Sequence, residues 1–281
     1  MNTPLSSPLP AIACIGGGNM GQAIIAGLLQ LDHPPHITVI DPSPEVAERF
    51  HSNGTLAQSV TVSAQPEDVS EAEIVLFAVK PQLGAQVAAS YAPYLHHDHL
   101  LVSILAGVSC AGLREWFPQV RCVVRTMPNT PMMVGSGMVG VCSDGVSEED
   151  LQRVEAVFQP AAVVMRLAEK HFDVLTALSG SGPAYVFHFA EGLYTAAIKA
   201  GIPQETARIL VRQTLFGSAR FLDIRDKDSC DFVAPLLREQ VTSPGGTTAA
   251  ALEVLSNNDW NSHLQAAVQA AAHRSQELRE S

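Results

Sequence analysis

The stretch IGGGNMG, residues 15–21, lies between a short apolar segment, AIACI, and a helix-like segment, MGQAIIAGLLQL. Its glycines follow the G-x-G-x-x-G spacing, with Gly16, Gly18 and Gly21 at the three positions. Between a strand and a helix, the first glycine permits a tight turn, the second lets a pyrophosphate approach the backbone, and the third allows close helix–strand packing. The stretch therefore predicts a dinucleotide site in a Rossmann-type domain; an ordinary glycine-rich turn is the alternative.

Apolar strand-like segments alternate with helix-like segments through the first part of the chain. We predict strands at AIACI, HITVID, EIVLFAV, LLVSILA and VRCVVRT, and two more at GMVGVCS and AVVMRL. Continuous apolar strands that alternate with helices are typical of a doubly wound parallel sheet of the α/β class. A helix over EVAERFHSNG follows the second strand, with Gly54 placed to end it.

The chain changes character after about Leu167, and the remainder is predicted to be all-helical. The predicted domains are a dinucleotide-binding domain, residues 1–167, and a helical domain, residues 168–281. The segment 182–202 has Pro183 near its start and Gly201 near its end, and it is apolar on nearly every side. Such a helix must be buried all round. We expect a second subunit to cover it in a homo-oligomer; burial against the first domain alone is the alternative.

The composition disfavours several function classes. The 281 residues are 47% apolar and 16% charged, which supports a substantial core, and a net charge of −11 argues against nucleic-acid binding. Five cysteines without a CxxC pair indicate a reduced protein without a disulfide framework or zinc cluster. MNTPLSSPLP lacks the features of a signal peptide, and no apolar run approaches the ~20 residues that span a bilayer. We expect a cytoplasmic protein that binds neither membrane nor nucleic acid.

Residues that follow the predicted strands are candidates for cofactor binding, because ligands bind at the carboxyl ends of strands in an open α/β sheet. Asp41 and Ser43 follow the second strand, where the adenine ribose is expected. Asp41 could accept bonds from the ribose hydroxyls, which favours NAD over NADP, or it could cap the next helix. Ser43 could contact a 2′-phosphate, and Arg49 is a helix turn or more away.

Further strand ends supply candidates for the nicotinamide half of the cleft. Two of them, AVKPQ and LAG, contribute Ala78, Val79, Lys80, Pro81, Leu105, Ala106 and Gly107. By position alone, Lys80 could equally be a solvated lysine at a strand end. TMPNTP follows another strand, and its two prolines stiffen the loop around Asn129. That placement suits contact with a nicotinamide carboxamide, and a rigid structural turn would look the same.

SPGGTT, residues 243–248, precedes a helix-like stretch and is a second candidate anion site. Gly245 and Gly246 can adopt positive φ and expose their N–H groups, and Thr247 and Thr248 begin the helix, whose first N–H groups lack partners. This suits one carboxylate; a plain threonine N-cap is the equal alternative. HHDH, residues 96–99, is interpreted as a solvated loop, because adjacent residues rarely converge on one metal ion.

In this order and at these distances, IGGGNMG, AVKP, MPNTP, SGSGPAYVF and SPGGTT resemble the pyrroline-5-carboxylate reductase family over essentially the whole chain. The resemblance implies a Rossmann domain and an all-α dimerisation domain similar to the C-terminal domain of 6-phosphogluconate dehydrogenase. It implies a homodimer, in assemblies that are often decamers. It also implies NAD(P)H-dependent reduction of 1-pyrroline-5-carboxylate to L-proline, the final step of proline biosynthesis, without a metal.

The resemblance assigns roles to individual residues. The pyrophosphate would lie on Ile15, Gly16, Gly17, Gly18, Asn19 and Met20. The substrate would be held by Gln240, Ser243, Gly245, Gly246, Thr247 and Thr248, with Thr248 facing the pyrroline nitrogen. Two positions depart from the family pattern: Asp41-Pro42-Ser43 stands where many relatives have Asn-Arg-Ser, and Gln240 stands where some relatives carry Asn. The first departure leaves the usual NADPH preference open.

There are two alternative functions, one that of a related kind of enzyme and one that of a protein without catalysis. A β-hydroxyacid dehydrogenase shares the two-domain plan, but it would open the second domain with a GxxGxGxxxK pattern that carries a catalytic lysine. Here Val186 stands four residues past Gly182, and the first lysine of that helix is Lys199. A nucleotide-sensing or scaffold protein would have no need of a carboxylate site at residues 242–248.

Overall fold

The computed structural model describes residues 8–52, 60–227 and 229–280; Gly54, the predicted end of the second helix, lies outside them. The chain forms two compact units, one of Met1–Ser181 with Gln269–Ser281 and one of Gly182–Val268. The division falls after Ser181, later than the predicted boundary at Leu167. The reason is that Phe172 and Leu175 pack against Cys110 and Cys142 of the first unit.

The first unit is built on one eight-stranded sheet. Its strands are β1 Ile12–Ile15, β2 Ile37–Ile40, β3 Val60–Ser63, β4 Ile74–Phe77, β5 Leu100–Ser103, β6 Cys122–Met127, β7 Gly137–Ser143 and β8 Ala162–Arg166. Their order across the sheet is β3-β2-β1-β4-β5-β6-β7-β8. All neighbours pair in parallel except β6 and β7. The predicted doubly wound parallel sheet is therefore confirmed for β1 to β6, and the reversal at β7 corrects it.

The reversal at β7 follows from the length of its connection. Residues 128–136 join β6 to β7, whereas a parallel crossover needs roughly a dozen residues or more. The connection is a 3₁₀ turn, Thr130–Val134, closed by Gly135 at φ 69°. The other difference is β3, which the sequence did not predict. Its residues, VTVS, form a short strand at the sheet edge and lack the continuous apolar run of a buried strand.

Helices cover both faces of the sheet. They are α1 Asn19–Leu28, α2 Pro44–Ser52, α3 Gly84–Tyr91, α4 Cys110–Trp116, α5 Glu148–Phe158 and α6 Phe172–Leu175. Side chains of β1 alternate between the two cores: Ile12 and Cys14 pack with residues of α1 and α5, whereas Ala13 and Ile15 pack with residues of α3 and α4. This period of two fixes which face each strand residue takes. Because β1 to β6 pair in parallel, their carboxyl ends share one edge of the sheet.

The second unit is all-helical, as predicted. The remaining helices are α7 Gly182–Lys199, α8 Gln204–Asp226, α9 Ala234–Gln240, α10 Thr247–Asn257 and α11 Trp260–Glu280, whose C-terminal half belongs to the first unit. Although α7 is strongly apolar, none of its residues is buried, and Phe187 is 63% exposed. The single chain therefore does not supply the burial that its sequence calls for. Among the described residues, no helix has the length and apolar character needed to cross a membrane.

Candidate active site

A cavity of about 610 Å³ lies at the carboxyl ends of β1, β2 and β4. Eight of the residues predicted to bind a cofactor line it: Ile15, Gly16, Gly18, Asp41, Ser43, Ala78, Val79 and Lys80. Its volume falls within the roughly 300–1,000 Å³ that is usual for small-molecule sites. A cleft is thus present at the edge of the sheet where the sequence analysis predicts the cofactor.

The glycine loop leaves the start of α1 open to this cleft. Gly16 has φ 99°, and a Cβ there would lie 2.7 Å from the carbonyl oxygen of Ala78. A Cβ on Gly21 would lie 2.8 Å from the carbonyl oxygen of Gly16. By contrast, a Cβ on Gly18 would meet no atom within 4 Å, and no side chain caps the helix that Gly18 begins. The bare N–H groups and the helix dipole fit a pyrophosphate.

Gly17 has a role that the glycine spacing does not reveal. Its N–H donates to Asp41 Oδ2 at 2.8 Å, and its carbonyl oxygen accepts from Gln22 Nε2 at 2.7 Å. A Cβ on Gly17 would clash with Val46 of α2. Gly17 therefore joins the glycine loop to the end of β2.

Asp41 is held on both carboxylate oxygens. Oδ2 accepts from Gly17 N–H, Oδ1 accepts from Ser43 N–H at 2.9 Å, and the Asp41 N–H donates to the carbonyl oxygen of Ser63 at 3.0 Å. Since α2 begins at Pro44, Asp41 braces the turn before that helix and does not cap it. The side chain remains half-buried on the cavity wall, which leaves the ribose role open to it.

The other predicted cofactor residues lie outside the cavity. They are Gly17, Asn19, Met20, Pro81, Leu105, Ala106, Gly107 and Asn129. Leu105 is 1% exposed and packs into the core beneath α3 and α4. Gly107 turns the chain with φ 76°, and a Cβ there would lie 3.1 Å from Cβ of Leu278 on α11. The leucine side chain of the segment after β5 is therefore part of the core.

Asn129 holds two segments of the first unit together. Its Nδ2 donates to the carbonyl oxygen and to Oγ of Ser179, at 3.2 and 3.1 Å, and its Oδ1 accepts from Met138 N–H at 2.9 Å. The Asn129 side chain thus joins its loop to Ser179 and to the start of β7. Ser179 belongs to a π-helical turn, Thr176–Gly180, a feature that is frequent at functional sites.

The far wall of the cavity was not predicted from the sequence. It is formed by Leu83, Gln86, Val87, Ser90 and Tyr91, in and just before α3. These positions recur at intervals of three and four residues, so they share one face of the helix. That periodicity directly after Lys80 is the signal that could have identified them.

In the second unit, SPGGTT forms a turn and the start of α10. Gly245 has φ 68°, and Gly246 is the N-cap, with its N–H donating to the carbonyl oxygen of Ser243 at 3.0 Å. No side chain caps α10, so the plain threonine N-cap is not what forms. Thr247 is exposed and Thr248 half-buried at the first turn of the helix. The first N–H groups of α10 therefore have no side-chain cap, whereas the Gly246 N–H is already bonded. Gln240, the last residue of α9, is exposed.

Two groups of possible metal ligands occur among the described residues. His96, His97 and Asp98 are exposed, as expected of a solvated loop. His99 corrects that expectation for the fourth residue, because it is buried, and its Nδ1 accepts from the His96 N–H at 2.9 Å. The second group is Cys110 and Cys142, with their Sγ atoms 3.9 Å apart, beside Glu169. Buried Arg125 bonds the same Glu169 carboxylate, Nη1 to Oε1 at 3.1 Å. The guanidinium therefore supplies the positive charge that compensates this carboxylate. All five cysteines are free thiols.

A parallel sheet whose glycine loop and bare helix N-terminus open onto a cleft defines a dinucleotide-binding oxidoreductase of the Rossmann class. Residues 169–278 match the family model "Pyrroline-5-carboxylate reductase dimerisation", and residues 11–107 match "NADP oxidoreductase coenzyme F420-dependent". The pyrroline-5-carboxylate reductase of Haemophilus influenzae is 39% identical over 95% of this chain and 97% of its own length. The chain belongs to the pyrroline-5-carboxylate reductase family.

Solved structures agree with this placement. A pyrroline-5-carboxylate reductase from Coxiella burnetii superposes with a TM-score of 0.83 at 32% identity, covering 95% of this chain and 97% of that one. The Plasmodium falciparum pyrroline carboxylate reductase, determined with NADP bound, gives a TM-score of 0.82 at 31% identity, covering 96% and 98%. The similarity therefore extends over both units.

Proposed function

We propose that the protein reduces 1-pyrroline-5-carboxylate to L-proline, the final step of proline biosynthesis, with NADH or NADPH. The observation that carries this proposal is the open glycine-loop cleft at the carboxyl edge of the sheet, in a chain of the pyrroline-5-carboxylate reductase family. The dinucleotide-binding domain is proposed as residues 1–167. The helical domain, residues 168–281, is proposed to bind the substrate and to form the dimer; of these residues, 168–181 and 269–281 belong to the first compact unit.

The first unit would hold and orient the cofactor. Residues 15–20 and the start of α1 present N–H groups to the pyrophosphate, and Asp41 presents carboxylate oxygens to a ribose. When bound, the reduced nicotinamide supplies a hydride from its C4 to the ring carbon that is double-bonded to nitrogen. The side chains of the cleft would hold the nicotinamide C4 beside that carbon atom, and such positioning contributes to the rate.

The loop before α10 would hold the substrate. Because Gly246 N–H bonds Ser243, the carboxylate is assigned to the N–H groups of Thr247 and Thr248 and to the helix dipole. The Thr248 hydroxyl would hydrogen-bond the ring nitrogen and orient the C=N bond. A cyclic imine can arrive already protonated, so the site needs no strong general acid.

We further propose a homodimer formed through the helical domain, able to assemble into a decamer, in the cytoplasm. The match of residues 169–278 to a dimerisation family and the exposed apolar surface of α7 support the dimer. Free cysteines throughout the described residues support a reducing compartment.

The proposal is tested by incubating the purified protein with 1-pyrroline-5-carboxylate and each reduced cofactor. We expect cofactor oxidation that depends on the imine, with proline formed in equal amount. Cofactor oxidation without proline, or no reaction with either cofactor, would exclude the proposed function.

The role of Thr248 is tested by Thr248→Ala, with Thr61→Ala, an exposed strand threonine of the first unit, as the matched control. Loss of the orienting hydroxyl should lower kcat/KM roughly ten- to hundredfold. The dissociation constant of the cofactor, measured by fluorescence titration, should change less than about twofold. If Thr248→Ala weakens cofactor binding as much as turnover, the assignment to the substrate fails.

A further inference from the structure

Asp41 lies at a position that can determine which of the two dinucleotides the protein binds. We infer that Asp41 makes the protein select NADH over NADPH, an inference that rests on the proposed binding of a nicotinamide dinucleotide in this cleft. Asp41 follows β2 and lines the cavity where the ribose of the adenosine half is expected. NADPH differs from NADH by a phosphate on that ribose, so a single side chain at this place can discriminate between them.

The carboxylate is preorganised to accept hydroxyl groups. Gly17 N–H holds Oδ2 at 2.8 Å and Ser43 N–H holds Oδ1 at 2.9 Å, so both oxygens are fixed in space. An ionised carboxylate has about four lone-pair sites, of which these bonds use two. The free sites match the 2′- and 3′-hydroxyls of an unmodified ribose, which both donate protons. A 2′-phosphate has no proton to donate there when it is fully ionised.

The negative charge of Asp41 affects the pKa values of two nearby side chains. Burial raises the pKa of Cys14 to about 12, and the Asp41 charge adds to that rise. The pKa of Tyr91, on the far wall of the cavity, is raised to about 12 by burial first and by Asp41 second. A phosphate on a ribose bound beside Asp41 would also be repelled, because like charges disfavour each other.

Few cations or free N–H donors near Asp41 could compensate the negative charge of a 2′-phosphate. Among the described residues that line the cavity, Lys80 is the cation, and it follows β4, which β1 separates from β2. Ser43 N–H, a natural phosphate donor, is already bonded to Asp41. Arg49 of α2 does not line the cavity, and its Nε donates to the carbonyl oxygen of Glu45 at 3.3 Å.

The test compares dissociation constants and kcat/KM for NADH and NADPH in the wild-type protein and in three variants. Asp41→Asn removes the charge and keeps one acceptor oxygen. Asp41→Glu keeps the charge. Asp32→Asn removes an equal charge from an exposed position outside the cavity and is the matched control.

We expect the wild-type protein to bind NADH at least about tenfold more tightly than NADPH. Asp41→Asn should reduce this ratio about tenfold, mainly through tighter NADPH binding, while Asp41→Glu and Asp32→Asn keep NADH preferred. Equal or tighter binding of NADPH by the wild-type protein overturns the inference, and so does an unchanged ratio in a folded Asp41→Asn. Binding constants require no turnover, so absent proline formation with an intact ratio would contradict the proposed reaction alone.

Discussion

Gly16 and Gly18 belong to one motif, yet the structure gives them different physical reasons to be glycine. Gly16 is required by the fold, since it has φ 99° and faces the carbonyl oxygen of Ala78. Gly18 has φ −68°, which any residue adopts, and a Cβ there would point into open space. We therefore attribute the glycine at position 18 to the proposed cofactor, whose phosphates would approach the helix N-terminus at that point.

Serine placed at each position separates the two requirements. Gly16→Ser should lower the free energy of unfolding by about 1–3 kcal/mol, because it forces a side chain into a left-handed conformation against Ala78. Gly18→Ser should leave stability unchanged within about 0.5 kcal/mol or raise it, because serine is a favoured N-cap, but it should weaken cofactor binding. Urea unfolding and cofactor titration measure the two effects. Wild-type affinity in Gly18→Ser would show that no phosphate lies there.

At the scale of elements, α7 is the helix whose sequence and environment disagree within one chain. It carries Val186, Phe187 and Phe189 at 51%, 63% and 42% exposure, although its composition is that of a buried helix. Exposed apolar surface of this kind marks an interface. Residues 169–278, which include α7, match a family model described as pyrroline-5-carboxylate reductase dimerisation.

The proposed interface is tested by Phe187→Asp, which places a charge in the apolar surface of α7. We expect the wild-type protein to be an oligomer by light scattering and the variant to shift to smaller species, because burying an unpaired carboxylate is costly. Tyr94→Asp, at an exposed aromatic residue of the first unit, is the control and should keep the wild-type mass. An unchanged mass for Phe187→Asp would place the interface elsewhere.

At the scale of the whole molecule, the sequence predicts correctly those features of the fold that depend on residues close together in the chain. The apolar strand series, the glycine loop and the two-part organisation follow from periodicity and turn chemistry, and they agree with the structure. The edge strand β3 was missed, because its composition does not distinguish it from a loop.

Long-range pairs could not be predicted. Asn129 bonds Ser179, and Gly17 bonds Asp41, across separations of 50 and 24 residues. No spacing rule encodes such contacts. The fixed orientation of Asp41 and the bonds of Asn129 to distant residues are therefore evident only from the structure. The helical spacing of the α3 residues that line the cavity is present in the sequence. The sequence does not show that they lie opposite the strand ends in one cavity.

The central claim is that this chain moves a hydride from a dinucleotide to the C=N carbon of 1-pyrroline-5-carboxylate. The most direct measurement uses reduced cofactor that carries deuterium on the transferred face of its C4 and follows the product by NMR. Hydride transfer to the C=N carbon should give L-proline with one deuterium on the ring carbon that was double-bonded to nitrogen. Proline without deuterium at that carbon, or deuterium retained in the oxidised cofactor, would contradict it.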